Sequence, residues 1–283
     1  MSALLALVAA VAFGLSDFAA GLLSRRASVF VVTVIGQSTS TVLTWIATLA
    51  VGGAAPGASL AWGAVAGIGS VGGSLFLYRG LARGRMSVVG PVSALVTALG
   101  SAIAGIVMGD RPSVAALVGI AVACAAVTLV STSDDSATGE PAAEMRRSLV
   151  DAVAAGLGFV LFFIALHRAG TNAGLWPVAM SQSTGLVLAL CFAAGFVVTG
   201  RLHPREARRV FPAAMSVGVL GGGATIAYFA ATHSGLLSVT AVITSLYPAA
   251  TVVPAMLVLH EQTRPSQTVG LVLAALAVAL LAL

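Results

Sequence analysis

Ten long apolar runs dominate this sequence, and each is about as long as a helix that crosses a bilayer. A hydrocarbon core of about 30 Å needs roughly 20 apolar residues, and only helices or closed barrels satisfy every backbone polar group there. The runs are continuous stretches of Ala, Val and Leu, without the alternating polarity of barrel strands. They cover residues 3–23, 30–51, 60–81, 88–108, 114–130, 149–166, 175–199, 210–232, 237–259 and 267–283. The pattern predicts an all-α integral membrane protein with ten transmembrane helices.

Charge and cysteine content restrict the function further. Only 8% of the residues are charged, whereas soluble domains have about 25%. The net charge of +5 lies in short segments between the apolar runs rather than on one face, which argues against binding to nucleic acid. Cys124 and Cys191 lie inside apolar runs, so they provide neither a disulfide framework nor a four-ligand metal site. We expect no cofactor, and we expect a small-molecule metabolite and the lipid bilayer as partners of a monomer or homodimer.

The two halves of the chain resemble each other. A shift of 151 residues places residues 87–130 on residues 238–281, and it pairs Asp110 with Glu261. A shift of 145 residues pairs Gln37 with Gln182, each followed by Ser and Thr. A repeated sequence unit indicates a repeated structural unit.

A hydrophilic stretch with the composition of a flexible linker separates the halves. We therefore predict a first five-helix repeat at residues 1–131, a polar linker at 132–147 and a second five-helix repeat at 148–283. An odd number of helices per repeat turns the second copy upside down relative to the first, so the repeats are predicted to be inverted.

The arginines support inversion, because Lys and Arg accumulate in cytoplasmic loops. The loops after even-numbered runs contain only Arg111 and Arg168. The loops after odd-numbered runs, together with the end of the third run at Arg79, contain the arginines at positions 25, 26, 79, 83, 85, 146, 147, 201, 205, 208, 209 and 264. We expect a multi-pass protein of the cell inner (cytoplasmic) membrane, with odd loops in the cytoplasm and both termini outside it. The apolar N-terminus has no basic segment before Arg25, so we expect it to be retained as a helix rather than cleaved as a signal peptide.

The end of each repeat resembles the ten-helix EamA type of the drug/metabolite transporter superfamily. The residues that carry the resemblance are Gly90-Pro91, Gly109-Asp110-Arg111-Pro112 and Gly119, and then Leu246-Tyr247-Pro248, His260-Glu261-Gln262-Thr263, Gln267 and Gly270. The second copy has the acidic residue, Thr, Gln and Gly of the family pattern, whereas Pro112 and Ala116 replace the Thr and Gln in the first copy. The resemblance implies a transporter of small metabolites that works by alternating access between inverted five-helix units, and it favours export.

Asp17 is the first candidate for a site residue, because it lies within the first apolar run. An ionised carboxylate in hydrocarbon costs about 2.5 to 3.5 kcal/mol on insertion scales, so an acid inside the membrane indicates a functional site. Asp17 either binds a cationic group or a proton in a water-filled cavity, or it pairs with Arg25 or Arg26 at the interface. Both interpretations stay open.

The remaining candidates for substrate contact are Gln37, Gln182, Tyr228, Thr244, Tyr247 and Pro248. The two glutamines recur at matching places, where amides join helices or line a polar path. Tyr228 lies deep in its run, although a tyrosine near a helix end is often an interfacial anchor. Pro248 cannot donate a backbone hydrogen bond, and helix breaks in transporters tend to face the binding site, so Thr244 and Tyr247 beside it are included.

The function expected from these features is transport of an amino-acid-like or drug-like metabolite, and no catalytic residue is assigned. The alternative is a membrane-embedded enzyme that acts on a lipid or isoprenoid carrier. Such an enzyme needs clustered acids or histidines at the interface, and the sequence offers few of them. A structural or receptor-like membrane subunit is the third interpretation.

Overall fold

The structure is a computed structural model that describes residues 1–24, 27–83, 86–130, 142–170, 172–198, 204–259 and 265–283. These ranges contain eleven α-helices and no β-strand, which confirms the all-α prediction. The helices are α1 (Ser2–Ser24), α2 (Val29–Val51), α3 (Gly57–Arg83), α4 (Met86–Val107), α5 (Val114–Val130), α6 (Ala142–Arg168), α7 (Trp176–Val198), α8 (Pro204–Ser234), α9 (Leu237–Thr244), α10 (Tyr247–Leu259) and α11 (Pro265–Ala282).

The helices match the ten apolar runs of the sequence, with one run divided in two. Among the described residues, seven segments are long and apolar enough to cross a membrane, and Val92–Val107, Val114–Val130 and Leu237–Thr251 are shorter apolar helices. The ninth run is broken into α9 and α10 at Ser245 and Leu246. Pro248 explains the break, because it has no N–H for the carbonyl of Thr244 four residues earlier. Helix α6 begins at Ala142, inside the polar stretch, where Ala, Glu, Met and Arg favour helix.

Helices α5 and α11 show that the two repeats are inverted. A methyl group on Gly119, near the start of α5, would lie 2.9 Å from Cγ of Leu281 at the end of α11. Conversely, a methyl group on Gly270, near the start of α11, would lie 2.7 Å from the backbone nitrogen of Val130 at the end of α5. The two helices therefore run antiparallel and exchange equivalent contacts. This is the relationship that a two-fold axis across the helices produces, and it confirms the predicted inversion.

Equivalent glycines also make equivalent helix crossings. A Cβ on Gly67 of α3 would lie 2.5 Å from the Ser181 carbonyl oxygen and 2.7 Å from Cβ of Thr184 on α7. On the opposite side, Gly218 of α8 makes the same approach to Gly36 and Thr39 of α2. Small residues let helix backbones approach closely in a membrane, where no hydrophobic effect drives helices together.

The helices pack into two bundles that each contain helices of both repeats. The first bundle consists of α3, α4 and α6, and the second consists of α1, α8, α9 and α10. Helices α2 and α7 contact each other. Helix α7 also packs against α3 of the first bundle, and α2 packs against α8 of the second. Helix α5 packs along α11. Each bundle is thus completed by helices from the other half of the chain.

The two ends of the molecule differ in charge, and we name them accordingly. The arginine-rich end is where α1, α3, α5, α7 and α10 finish, and the arginine-poor end is the opposite one. Contacts among the even-numbered loops show that they share one end: Trp176 Nε1 donates to the Gly53 carbonyl, and Asp110 accepts from the Ser238 backbone nitrogen. Gly235 also approaches Ser2 at the start of the chain.

Candidate functional site

The two bundles meet at the arginine-poor end through helices α4 with α9 and α6 with α8. The Asp110 carboxylate, which follows α4, accepts a 2.7 Å hydrogen bond from the backbone N–H of Ser238 in the first turn of α9. An acceptor at this position satisfies one of the N–H groups that a helix start leaves unpaired. The contact lies at the arginine-poor end, and it makes Asp110 an acceptor for the first turn of α9 rather than for α5, the helix that follows it in the chain.

An aromatic cluster closes the same end between α6 and α8. The Tyr228 ring lies 4.4 Å from the Phe163 ring, measured between centroids, and its hydroxyl donates a 3.2 Å hydrogen bond to the Phe163 carbonyl. Tyr228 has no solvent exposure and contributes to a core with Phe162, Leu166 and Leu237. In this conformation the candidate Tyr228 therefore joins the two bundles and does not line an open space.

Two histidines add a further contact between the bundles, which sequence reasoning did not identify. His167 Nδ1 lies 2.9 Å from Oγ1 of Thr232, and the rings of His167 and His233 are stacked with centroids 6.0 Å apart. The Nδ1 atom of His233 contacts the Phe229 carbonyl at 2.7 Å, and its buried Nε2 atom has no hydrogen-bond partner among the described residues. In the sequence, the only indication of these histidines is that each follows the end of an apolar run. Their pairing depends on the packing of α6 against α8.

Asp17 lies on a face of α1 that is buried in one half of the helix and exposed in the other. The spacing of Ala6, Ala10 and Asp17 places them on this one face. Ala6 and Ala10 are buried, with exposures of 0% and 2%, whereas Asp17 is exposed. Val8, which is exposed on the apolar outer side, is nine residues before Asp17 and so about 180° away around the helix. Asp17 is thus exposed toward the interior of the molecule, in the half of α1 nearer the arginine-rich end.

The break between α9 and α10 lies beside this face. A methyl group on Gly14 would lie 2.7 Å from the Tyr247 carbonyl oxygen and 2.6 Å from Cβ of Ala250, so α1 crosses α10 in close contact one turn before Asp17. The Thr251 hydroxyl lies 3.1 Å from the Tyr247 carbonyl and 3.3 Å from that of Gly14. The break is therefore held against α1.

The candidates beside the break differ in exposure. Thr244 is fully buried and donates to the Thr240 carbonyl at 2.8 Å, whereas Tyr247 and Pro248 are half-buried. Burial thus decreases from α9 to α10 along the same run. The structure brings Tyr247 and Pro248 near Asp17 through the Gly14 crossing, and it places Thr244 in the packed half.

Gln37 and Gln182, the repeat-related pair, contact each other directly. Nε2 of Gln37 donates to Oε1 of Gln182 at 2.8 Å and to its backbone carbonyl at 3.1 Å. Nε2 of Gln182 donates to Oγ of Ser40 at 2.7 Å and to Oγ1 of Thr225 on α8 at 3.3 Å. This half-buried network joins α2, α7 and α8. It agrees with the helix-joining interpretation of the glutamines, and it fixes α2 and α7 beside the two bundles.

A second intramembrane acid, Asp151 in α6, was not identified from the sequence. Its side chain is 3% exposed and accepts hydrogen bonds from Nε and from an Nη atom of Arg79, which is 47% exposed at the end of α3. The signal was an acid within the sixth apolar run, and the ion pair lies inside one bundle, where it links α3 to α6.

Other candidates and motifs lie outside this arrangement. Glu261 and Thr263 of the second-repeat pattern are outside the described residues, as are Arg25 and Arg26, which could pair with Asp17. Among the described residues, no group of three or more His, Cys, Asp or Glu side chains could hold a metal ion.

Comparison with known proteins agrees with this architecture. The model of the EamA-like transporter family matches residues 1–132 and 147–283. No curated protein matches the chain. A solved structure titled only "Crystal structure of protein" superposes with a TM-score of 0.78, at 16% sequence identity, over 99% of this chain and 95% of its own. A likeness at this identity concerns the fold alone, and it extends over all ten predicted helices.

Proposed function

Because the chain belongs to the EamA-like transporter family, we propose that it exports a small organic metabolite, amino-acid-like or drug-like, by alternating access. The membrane is the cytoplasmic one, and the arginine-rich end faces the cytoplasm by the positive-inside rule. Both termini then lie outside the cytoplasm.

One observation carries this proposal: the described contacts between the bundles are concentrated at the arginine-poor end. Asp110 with Ser238, Phe163 with Tyr228 and His167 with Thr232 all join the bundles there. Toward the arginine-rich end the same inward face of α1 becomes exposed at Asp17. These observations support a state that is closed to the outside and open to the cytoplasm between the bundles.

Alternating access follows if the bundles rock against each other. The glycine crossings between α3 and α6 and between α1 and α10 make each bundle stiff, because backbones in contact leave no room for sliding. The contacts between the bundles are fewer and lie at one end, so they can separate while the cleft at the other end closes. In this scheme the substrate contacts Asp17, Tyr247 and Pro248 in the cleft. Gln37 and Gln182 lie at the contact between α2 and α7. Thr244 and Tyr228 become accessible when the arginine-poor end opens.

A reversible lock on the closed end tests this mechanism whatever the substrate is. Cys124 and Cys191 are replaced by serine, and cysteines are introduced as His167→Cys and His233→Cys, at side chains whose rings are 6.0 Å apart. A short, reducible bifunctional thiol reagent then links α6 to α8 in purified protein reconstituted in liposomes. Counterflow of a radiolabelled metabolite panel is measured before linking, after linking and after reduction.

The expected result is that linking abolishes counterflow and that reduction restores it. The background protein without the introduced cysteines should be insensitive to the reagent, which controls for modification elsewhere. Undiminished counterflow in the linked protein would contradict alternating access through this gate. A protein that moves no metabolite of the panel in any state would contradict the transport function.

A further inference from the structure

Asp17 has no partner among the described residues. It makes no hydrogen bond or ion pair with any of them, although it is exposed on the inward face of α1 about 10 Å from the end of the helix. The hydroxyl of the preceding residue, Ser16, is bonded to the Val217 carbonyl of α8 at 3.0 Å. This bond holds the turn of α1 against α8, and the Asp17 side chain remains exposed on the inward face.

Several of the other described charges have partners, whereas Arg146, Arg147, Arg208 and Arg209 are exposed near the starts of α6 and α8, at the arginine-rich end. Arg79 is paired with Asp151 inside the first bundle. Arg168 lies over the Trp62 ring and Asp110 accepts from the Ser238 backbone, both at the arginine-poor end. Within the part of the chain that the structure describes, Asp17 is thus an acid in the membrane-spanning length of α1 that has no hydrogen bond or ion pair.

The part of this face just before Asp17 is apolar. Phe13 lies one turn before Asp17 on the same side of α1 and is half-buried, and Ala10 precedes it. Low-dielectric walls strengthen the attraction of a carboxylate for a cation and its repulsion of an anion. A charged group enters such a site at acceptable cost only when it is paired with an opposite charge.

We infer that the molecule carried in this cleft is an organic cation, an amine with an apolar body whose ammonium group pairs with the Asp17 carboxylate while the body packs near Phe13. This inference rests on the proposed transport function and names its substrate class. Molecules of the same size with a carboxylate in place of the ammonium are excluded by charge, and zwitterions are carried poorly because the Asp17 carboxylate repels theirs.

Four probes of similar size separate these classes: phenethylammonium, L-phenylalanine, 3-phenylpropionate and 2-phenylethanol. Binding of each radiolabelled probe to purified wild-type protein is measured by equilibrium dialysis, and uptake is measured in proteoliposomes. The variants are Asp17→Asn, which removes the charge at constant size, and Asp17→Glu, which retains it. Elution from a sizing column and thermal stability verify that each variant is folded.

The wild type is expected to bind phenethylammonium at least tenfold more tightly than the other three probes. Asp17→Asn should lose this preference and Asp17→Glu should retain most of it. The inference is overturned if the wild type prefers the zwitterion, the anion or the alcohol, or if Asp17→Asn keeps the preference for the cation. It is also overturned if Asp17→Asn only lowers thermal stability, as expected for an ion pair with Arg25 or Arg26.

Failure of the substrate class is distinguishable from failure of transport. If none of the four probes binds while the gate-locking experiment shows counterflow of another metabolite, the cation assignment is wrong and the transport function stands. If locking has no effect and nothing is transported, both are wrong.

Discussion

The side-chain amide nitrogen of Gln37 lies 2.8 Å from the side-chain oxygen of Gln182, its counterpart in the other repeat. Two residues related by a two-fold axis can bond to each other only where the axis passes between them, so this hydrogen bond marks the axis in the α2–α7 interface. The pair is asymmetric, since Gln37 donates while Gln182 uses its own amide nitrogen on Ser40.

Replacing both glutamines by leucine should reveal energetic coupling between them. Each single variant should lower the free energy of unfolding, and we expect a coupling of about 0.5 to 1.5 kcal/mol in the double-mutant cycle, in the range found for hydrogen bonds between membrane helices. Unfolding in mixed micelles titrated with SDS measures it. Ser216→Ala is the control, because the Ser216 hydroxyl bonds only within its own helix. Strictly additive losses would show that the observed bond contributes nothing.

Gly158→Ala should destabilise the protein by about 1 to 3 kcal/mol, the usual cost of overpacking. Its Cβ would lie 2.5 Å from the Gly73 backbone nitrogen and 2.9 Å from the Gly69 carbonyl oxygen, and backbone atoms cannot move aside as a flexible side chain can. Gly72→Ala is the matched control in the same interface region, because no atom lies within 4 Å of its Cβ position. Equal melting temperatures for the two variants would contradict the close crossing of α3 and α6.

Pro248→Ala should join α9 to α10 and slow transport. Alanine supplies the backbone N–H that the Thr244 carbonyl lacks at position 248, and the straightened helix can no longer bend at Ser245 and Leu246. We expect at least a fivefold lower rate of counterflow with unchanged or higher stability. Pro254→Ala is the control, since Pro254 lies inside α10, which is not broken there. A similar loss in both variants would mean that the break has no special role.

Asp110→Ala should loosen the arginine-poor end. The variant loses the hydrogen bond to the Ser238 backbone, which is worth about 1 to 2 kcal/mol for a side chain that caps a helix. Thr232, only 1% exposed, is converted to cysteine as a reporter in a background without native cysteines. Its labelling by a membrane-impermeant thiol reagent should accelerate severalfold. Arg111→Ala, at the exposed neighbouring position, should leave the labelling rate unchanged, and an equal rate in both variants would argue against the gate.

The course of the helices and the inversion could be predicted from sequence, because the width of the hydrocarbon core fixes the length of an apolar run. Pro248 marked a possible break in the ninth run, since the missing N–H is a covalent property of the residue, although Pro254 in the same run leaves α10 unbroken. The repeat also identified Gln37 and Gln182 as equivalent residues of the two halves. In each case the signal is local or is repeated along the chain.

The contacts between distant helices could not be predicted. Arg79 and Asp151 are 72 residues apart, and their pairing depends on the Gly73 and Gly158 backbones coming into contact. The burial of Tyr228 against α6 could not be predicted either. A tyrosine at that depth faces a cavity or a neighbouring helix, and the rotation of α8 about its axis decides which. That rotation is set by the glycine crossings of α8 with α2, and hydropathy carries no information about it.

The exchange of helices between the bundles has a consequence for biosynthesis. The partners of α3 and α4 include α6, which the ribosome completes only after the whole first half has been inserted. Helix α1 must wait still longer, since α8, α9 and α10 are made near the end of the chain. Early helices therefore reside in the lipid with their glycine-lined sides unmatched, and neither half can reach its final packing until translation has nearly finished.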